Sequence, residues 1–174
     1  MILNDRALWM SAQRGLVKPF IEENIQGSSI DLTLGNNIKV ENESPIGKLW
    51  TDFDMTDTDY GLRPGEFVLA HTAETIAIPE DCSAMVLLRS SAARAGFEHS
   101  LAGWCDPGFT GQLTLELRNN LRHRKLWLEP GLRLCQLVVH RLVEDAQQTY
   151  GLRGNYQGQT GATASTNYFS RIAA

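Results

Sequence analysis

Gln112-Leu113-Thr114-Leu115-Glu116-Leu117-Arg118 decides the fold class. Side chains alternate between the two faces of a strand. Leu113, Leu115 and Leu117 therefore share one face, which predicts a core contact, and Gln112, Thr114, Glu116 and Arg118 share the other. Working outward, the same short-strand pattern recurs in Glu66-Phe67-Val68-Leu69-Ala70, in Ala84-Met85-Val86-Leu87-Leu88 and from Leu132 to His140. Turn residues separate these runs: Gly27-Ser28-Ser29, Gly35-Asn36-Asn37, Pro64-Gly65, Pro79-Glu80-Asp81, Asp106-Pro107-Gly108 and Pro130-Gly131. Such spacing predicts a mainly β sandwich or barrel. The exception is a short N-terminal helix, with Asn4 as N-cap, Asp5 in the first turn, Leu3 and Leu8 as a hydrophobic staple and Gly15 as the stop.

The length of 174 residues suits one domain, and 43% hydrophobic with 21% charged residues excludes wholesale disorder. The formal net charge of −4 argues against a dedicated DNA or RNA binder, which needs a basic excess, and leaves room for a local basic site. No apolar run reaches the ~18 residues of a membrane helix. Cys82, Cys105 and Cys135 have neither disulfide nor zinc spacing and sit among apolar neighbours. Buried, reduced thiols and the absence of a signal-peptide pattern predict a cytoplasmic protein. His71, His99, His123 and His140 form no i, i+4 pair and fit no zinc deaminase signature, so no metal-bound histidine site is expected and His99 reads as a structural imidazole. The acidic stretch Asp52, Asp54, Asp57 and Asp59 lacks the glycine and terminal Glu of a calcium loop and reads as a solvated loop.

Two further segments carry chemistry. Arg89-Ser90-Ser91-Ala92-Ala93-Arg94 gathers two guanidinium groups and two hydroxyls, either an anion cradle or a strand end with turn residues. Neither G-x-x-x-x-G-K-[ST] nor G-x-G-x-x-G is present. From Gly151 to Ala174 the chain is rich in Gly, Gln, Thr, Ser and Asn, and composition alone predicts a disordered terminus. Its aromatics, Tyr156, Tyr168 and Phe169, with Tyr150 just before them, predict docking instead.

Collinear segments along nearly the whole chain resemble the dCTP deaminase branch of the trimeric dUTPase superfamily. They are Met1 to Asp5 with Gly27-Ser28-Ser29-Ile30-Asp31-Leu32-Thr33-Leu34-Gly35; Arg89 to Arg94, similar to R-S-S-x-x-R; and Ala102-Gly103-Trp104-Cys105-Asp106-Pro107-Gly108-Phe109-Thr110-Gly111 running into Leu115-Glu116-Leu117. Gly131-Leu132-Arg133-Leu134-Cys135-Gln136-Leu137 resembles G-x-x-I-x-Q-L, and Tyr156 to Ser165 resembles Y-Q-G-Q-x-G-x-T-x-S. The resemblance implies a distorted, dUTPase-like β-barrel over residues 1–150, with residues 151–174 as a tail that closes over the nucleotide. It implies a homotrimer with sites at subunit interfaces, dCTP as substrate, dUTP and ammonia as products, Mg²⁺ carried on the triphosphate, and no zinc.

By the same resemblance Glu116 is the base that activates water and the acid that releases ammonia. Ser90 holds the water and Arg94 orients Ser90 or Glu116. Arg89 and Ser91, with Ser90, bind phosphates; the Ala102 backbone meets the base; Asp106 lies near the deoxyribose and Phe109 packs on the sugar. Trp104 and Gln136 complete the substrate-binding set, and Tyr156 and Gln159 close it from the tail. Asn155 replaces a common Lys, with Arg153 two residues away as a replacement cation, and Leu101 and Leu88 replace common Thr and Gly. A modified deoxycytidine triphosphate and regulation by dTTP bear on these departures. Deamination to dUTP is the main reading. The alternatives are a bifunctional enzyme that continues to dUMP and pyrophosphate, which Ala102-Gly103-Trp104 resembles, and a plain dUTPase or non-catalytic nucleotide-binding regulator.

Overall fold

The computed structural model describes residues 1–43, 48–100 and 102–166. Leu101, Tyr168 and Phe169 lie outside the described residues. The strands are β1 (Val17–Lys18), β2 (Ile30–Thr33), β3 (Asn37–Glu41), β4 (Trp50–Asp54), β5 (Tyr60–Leu62), β6 (Phe67–Ala77), β7 (Cys82–Leu88), β8 (Phe97–His99), β9 (Trp104–Cys105), β10 (Thr110–Asn119), β11 (Leu126–Leu128) and β12 (Arg133–Arg141). The helices are α1 (Asp5–Gln13), α2 (Ser90–Ala95) and α3 (Tyr150–Arg153). One sheet runs β4-β3-β6-β10-β8 with β1 also on β6; a second runs β2-β12-β7-β9; β11 pairs with β5. Every pairing is antiparallel. The sheets enclose a common core without closing into one continuous barrel, so the architecture is mainly β and barrel-like. Among the described residues no helix is long and apolar enough to cross a membrane.

Local chemistry explains the elements. Asn4 accepts the Ala7 N–H at 3.0 Å and caps α1, whose Leu8 is buried. Leu113, Leu115 and Leu117 are 8%, 1% and 0% exposed, so the leucine face of β10 is the core face. Between β10 and β6 the register slips: Gln112 opposes Thr75 and Thr114 opposes His71. The extra β6 residues are satisfied by side chains. Thr72 Oγ1 accepts the Leu113 N–H at 3.0 Å and donates to the Glu74 carbonyl at 2.8 Å. The Glu74 carboxyl turns to β2, where it accepts from the Thr33 N–H at 3.0 Å and from the Thr33 hydroxyl at 2.7 Å. Asn119, fully buried, ties β10 to the Leu62 and Arg124 carbonyls, both at 2.9 Å.

Three local expectations are corrected. Asp52 and Asp54 lie on β4 rather than in a solvated loop, because β4 pairs with β3 and Asp52 meets Lys39 at 2.5 Å. The Arg89–Arg94 segment is neither a strand end nor an irregular turn. It forms α2, closed by Gly96 at φ 110°, a left-handed conformation in which a Cβ would lie 2.6 Å from Leu121. The tail does not lie free through Thr166. It opens with the single turn of α3, and the chain from Tyr156 to Thr163 docks on β10.

Candidate active site

Glu116 sits in the middle of β10, opposite Leu69 of β6, on the face away from the core. This face floors a cavity of about 440 Å³. Thr114 stands beside Glu116, and Trp50, Phe67 and Leu69 form an apolar wall. Ala102, Trp104, Asp106 and Phe109 bound the cavity on another side, and Tyr156 and Gln159 of the tail complete it. Burial pushes the Glu116 carboxyl above the usual carboxylate range, its own backbone N–H opposing weakly. Its Oε2 is buried without a hydrogen-bond partner and lies 3.5 Å from Nε2 of His99, likewise buried and unpartnered. Desolvation lowers the His99 pKa, so the imidazole is neutral at neutral pH and the contact is not an ion pair.

The other walls are held by named contacts. Trp104 Nε1 donates to Asp106 Oδ1 at 3.0 Å, so the exposed indole is fixed by a carboxylate of the following turn. Gly103 approaches β7 so closely that a Cβ there would lie 2.3 Å from the Val86 carbonyl oxygen, while Val86 N–H donates to the Gly103 carbonyl at 2.7 Å. Phe109 is 5% exposed and packs edge-on against Tyr150, ring centroids 5.3 Å apart. The Tyr150 hydroxyl accepts the Tyr156 N–H at 3.2 Å and so anchors the start of the tail. The tail then crosses β10. Gln112 N–H donates to the Gln159 carbonyl at 2.9 Å, Gln159 Nε2 donates to the Gln112 carbonyl at 2.6 Å, and Thr163 N–H donates to Thr114 Oγ1 at 3.1 Å.

Arg89, Ser90, Ser91, Arg94 and Gln136 line no part of this cavity. Ser90, Ser91 and Arg94 are exposed on α2. Arg89 is half-buried, with Nε 3.1 Å from the Asp31 carboxylate. Gln136 lies opposite Asp31 on β12 and accepts from the Ser29 hydroxyl at 3.1 Å. The residues expected at one site thus fall in two places on a single chain. Arg153 is exposed on α3 and does not line the cavity. Cys82, Cys105 and Cys135 are free and buried, and burial raises the first two thiols to about 11 and about 12, with the Cys135 thiol higher still.

A family model described as dCTP deaminase-like matches residues 2–142. The chain belongs to the dCTP deaminase-like family. A Persephonella marina relative named "dCTP deaminase, dUMP-forming" is 37% identical over 98% of this chain and 99% of its own length. One of the same name from Acidothermus cellulolyticus is 40% identical over 97% of this chain and 96% of its own. The crystal structure of 2′-deoxycytidine 5′-triphosphate deaminase from Agrobacterium tumefaciens superposes with a TM-score of 0.68 at 22% identity. That match covers 80% of this chain and 47% of that one, and shows the fold.

Within this dCTP deaminase-like chain the cavity also uses residues outside every sequence motif. Thr114 follows from strand alternation, since it shares the face of Glu116. Phe67 and Leu69 come through the β6–β10 register, opposite Arg118 and Glu116, and Trp50 comes from β4 at the sheet edge. Only the pairing of strands distant in sequence could have revealed Phe67, Leu69 and Trp50.

Proposed function

We propose that this protein deaminates dCTP hydrolytically and carries the product on to dUMP, working as a homotrimer in which each site is built from two subunits. The observation that carries the reading is Glu116, a half-buried carboxyl with a raised pKa in a cavity walled by the segments of the family motif. A carboxyl there can take a proton from water as the oxygen attacks the ring carbon, then give a proton to the departing amine, so that dCTP and water yield dUTP and ammonia. A second water cleaves dUTP to dUMP and pyrophosphate. The names of the relatives favour this bifunctional reading over release of dUTP.

Glu116, Ala102, Trp104, Asp106, Phe109, Tyr156 and Gln159 would receive base and sugar from one subunit. Ser90, Arg94, Arg89, Ser91 and Gln136 would come from its neighbour. The separation of these two groups on one chain supports that division. Mg²⁺ enters as part of the substrate, on the triphosphate, and the chemistry asks for no zinc. Buried, reduced thiols suit a cytoplasmic setting. The test is incubation with dCTP and Mg²⁺, resolving dUTP, dUMP, pyrophosphate and ammonia. dUMP with pyrophosphate and ammonia supports the proposal. Accumulating dUTP restricts the protein to deamination, and no product removes the enzymatic reading.

A further inference from the structure

Asp31 of β2 is 1% exposed and sits where two guanidinium groups converge. Its Oδ2 lies 3.1 Å from Arg89 Nε and 4.0 Å from Arg133 Nη1, and accepts from Gln26 Nε2 at 3.3 Å. Arg89 Nη1 donates in turn to the Arg133 carbonyl at 3.4 Å. The Arg89 guanidinium is thereby fixed in plane while 29% of its side chain stays exposed, and 49% of the Arg133 side chain is exposed beside it. Two positive charges over one buried negative charge leave a net positive patch next to the exposed Ser90 and Ser91.

Stability does not account for this arrangement. A buried carboxylate loses its hydration, and replacing a buried ion pair by apolar side chains is often neutral or stabilising. Desolvation raises the Asp31 pKa, and only the two arginines oppose it. What the cluster supplies is one guanidinium held by Asp31 and the Arg133 carbonyl and a second drawn toward the same carboxylate at 4.0 Å, and guanidinium forks bind phosphate oxygens in pairs. A chain of net charge −4 needs such a local concentration of positive charge to hold a polyanion.

We propose that Arg133 is a second phosphate-binding guanidinium alongside Arg89, and that Asp31 is the positioning residue that holds both toward the triphosphate. This rests on the dCTP reading for the nucleotide, but the phosphate chemistry can be tested without turnover. The probe is inorganic tripolyphosphate with Mg²⁺, titrated calorimetrically into the assembled protein. Arg133→Gln, at an exposed position, is expected to weaken tripolyphosphate binding about tenfold and to raise KM for dCTP by a similar factor with kcat nearly unchanged. Unchanged tripolyphosphate affinity in this variant overturns the role of Arg133, whatever the protein does to dCTP. Wild-type turnover of dCTP, measured separately, reports on the functional reading alone. Asp31→Asn separates positioning from charge balance. Weaker tripolyphosphate binding supports positioning, because the forks lose their anchor. Tighter binding, from a patch relieved of its negative charge, overturns it.

Discussion

In the proposed reaction Glu116 takes one proton and returns one, so shape and hydrogen bonding alone cannot replace it. Glu116→Gln is expected to lower deamination by at least ~10²-fold while dCTP binding, measured by calorimetry, is retained. The groups facing this carboxyl are the neutral His99 on β8 and Tyr156 on the tail. Because burial raises its pKa and the reaction starts from the ionised form, kcat/KM should fall on the acid side above the usual carboxylate range. Glu74 offers a second titration, read in stability rather than rate. Burial raises its pKa, and the Thr33 bonds that oppose this do not cancel it. The folded state therefore binds this proton more tightly than the unfolded chain. Its contribution to stability is full below the unfolded carboxylate range and is lost as pH rises through the folded pKa. Glu74→Gln removes that loss, so its melting temperature relative to wild type should be higher at about pH 8 than at about pH 5. Alternation along 112–118 puts Glu116 on the polar face with Gln112, Thr114 and Arg118, and the family resemblance singles it out among them. His99 was not legible as its neighbour, since that contact arises from the Leu117–His99 register between β10 and β8.

At the scale of elements, β10 does two jobs, with its leucines in the core and its other face under the tail. Gly111 lies directly against the tail. Its φ is 153°, and a Cβ would lie 3.0 Å from the Gln159 backbone oxygen. Gly111→Ala should displace the tail rather than unfold the sheet. Expected are a lowered activity, faster proteolysis near Gly154 and a modestly lowered melting temperature, since alanine is strained at that φ; a variant with normal activity and protease resistance counts against a closing role for the tail. The strand runs were readable from alternation and turn residues. α2 was not, because its length of six residues leaves no helical period to detect and its end depends on a left-handed Gly96 packed against Leu121. The tail's composition predicts disorder, while its aromatics and the family resemblance predict docking. Most of its anchors are backbone groups and polar side chains such as Gln159 and Thr114, which carry no hydrophobic pattern, and the Tyr150 hydroxyl holds its start.

For the whole molecule, the proposed division of each site between subunits makes a quantitative prediction. Light scattering should give about three times the 19.4 kDa chain mass. Glu116→Gln and Arg94→Gln trimers, each inactive alone, should recover activity when unfolded together and refolded as a mixture. Random assembly pairs an intact Glu116 with an intact Arg94 at about one site in four, and about that fraction of wild-type activity is expected. No recovery in properly formed mixed trimers would place both residues in the same subunit's site.

Trp104 and Trp50 give the cavity an optical consequence. The chain has four tryptophans; these two line the cavity, while Trp9 and Trp127 lie elsewhere on the surface, 41% and 60% exposed. A nucleotide seated in the cavity would strip water from the Trp104 ring, now 55% exposed, and the indole emission should move to shorter wavelength. Glu116→Gln protein, expected to hold dCTP without consuming it, would then report the arrival of substrate as light, with no product formed.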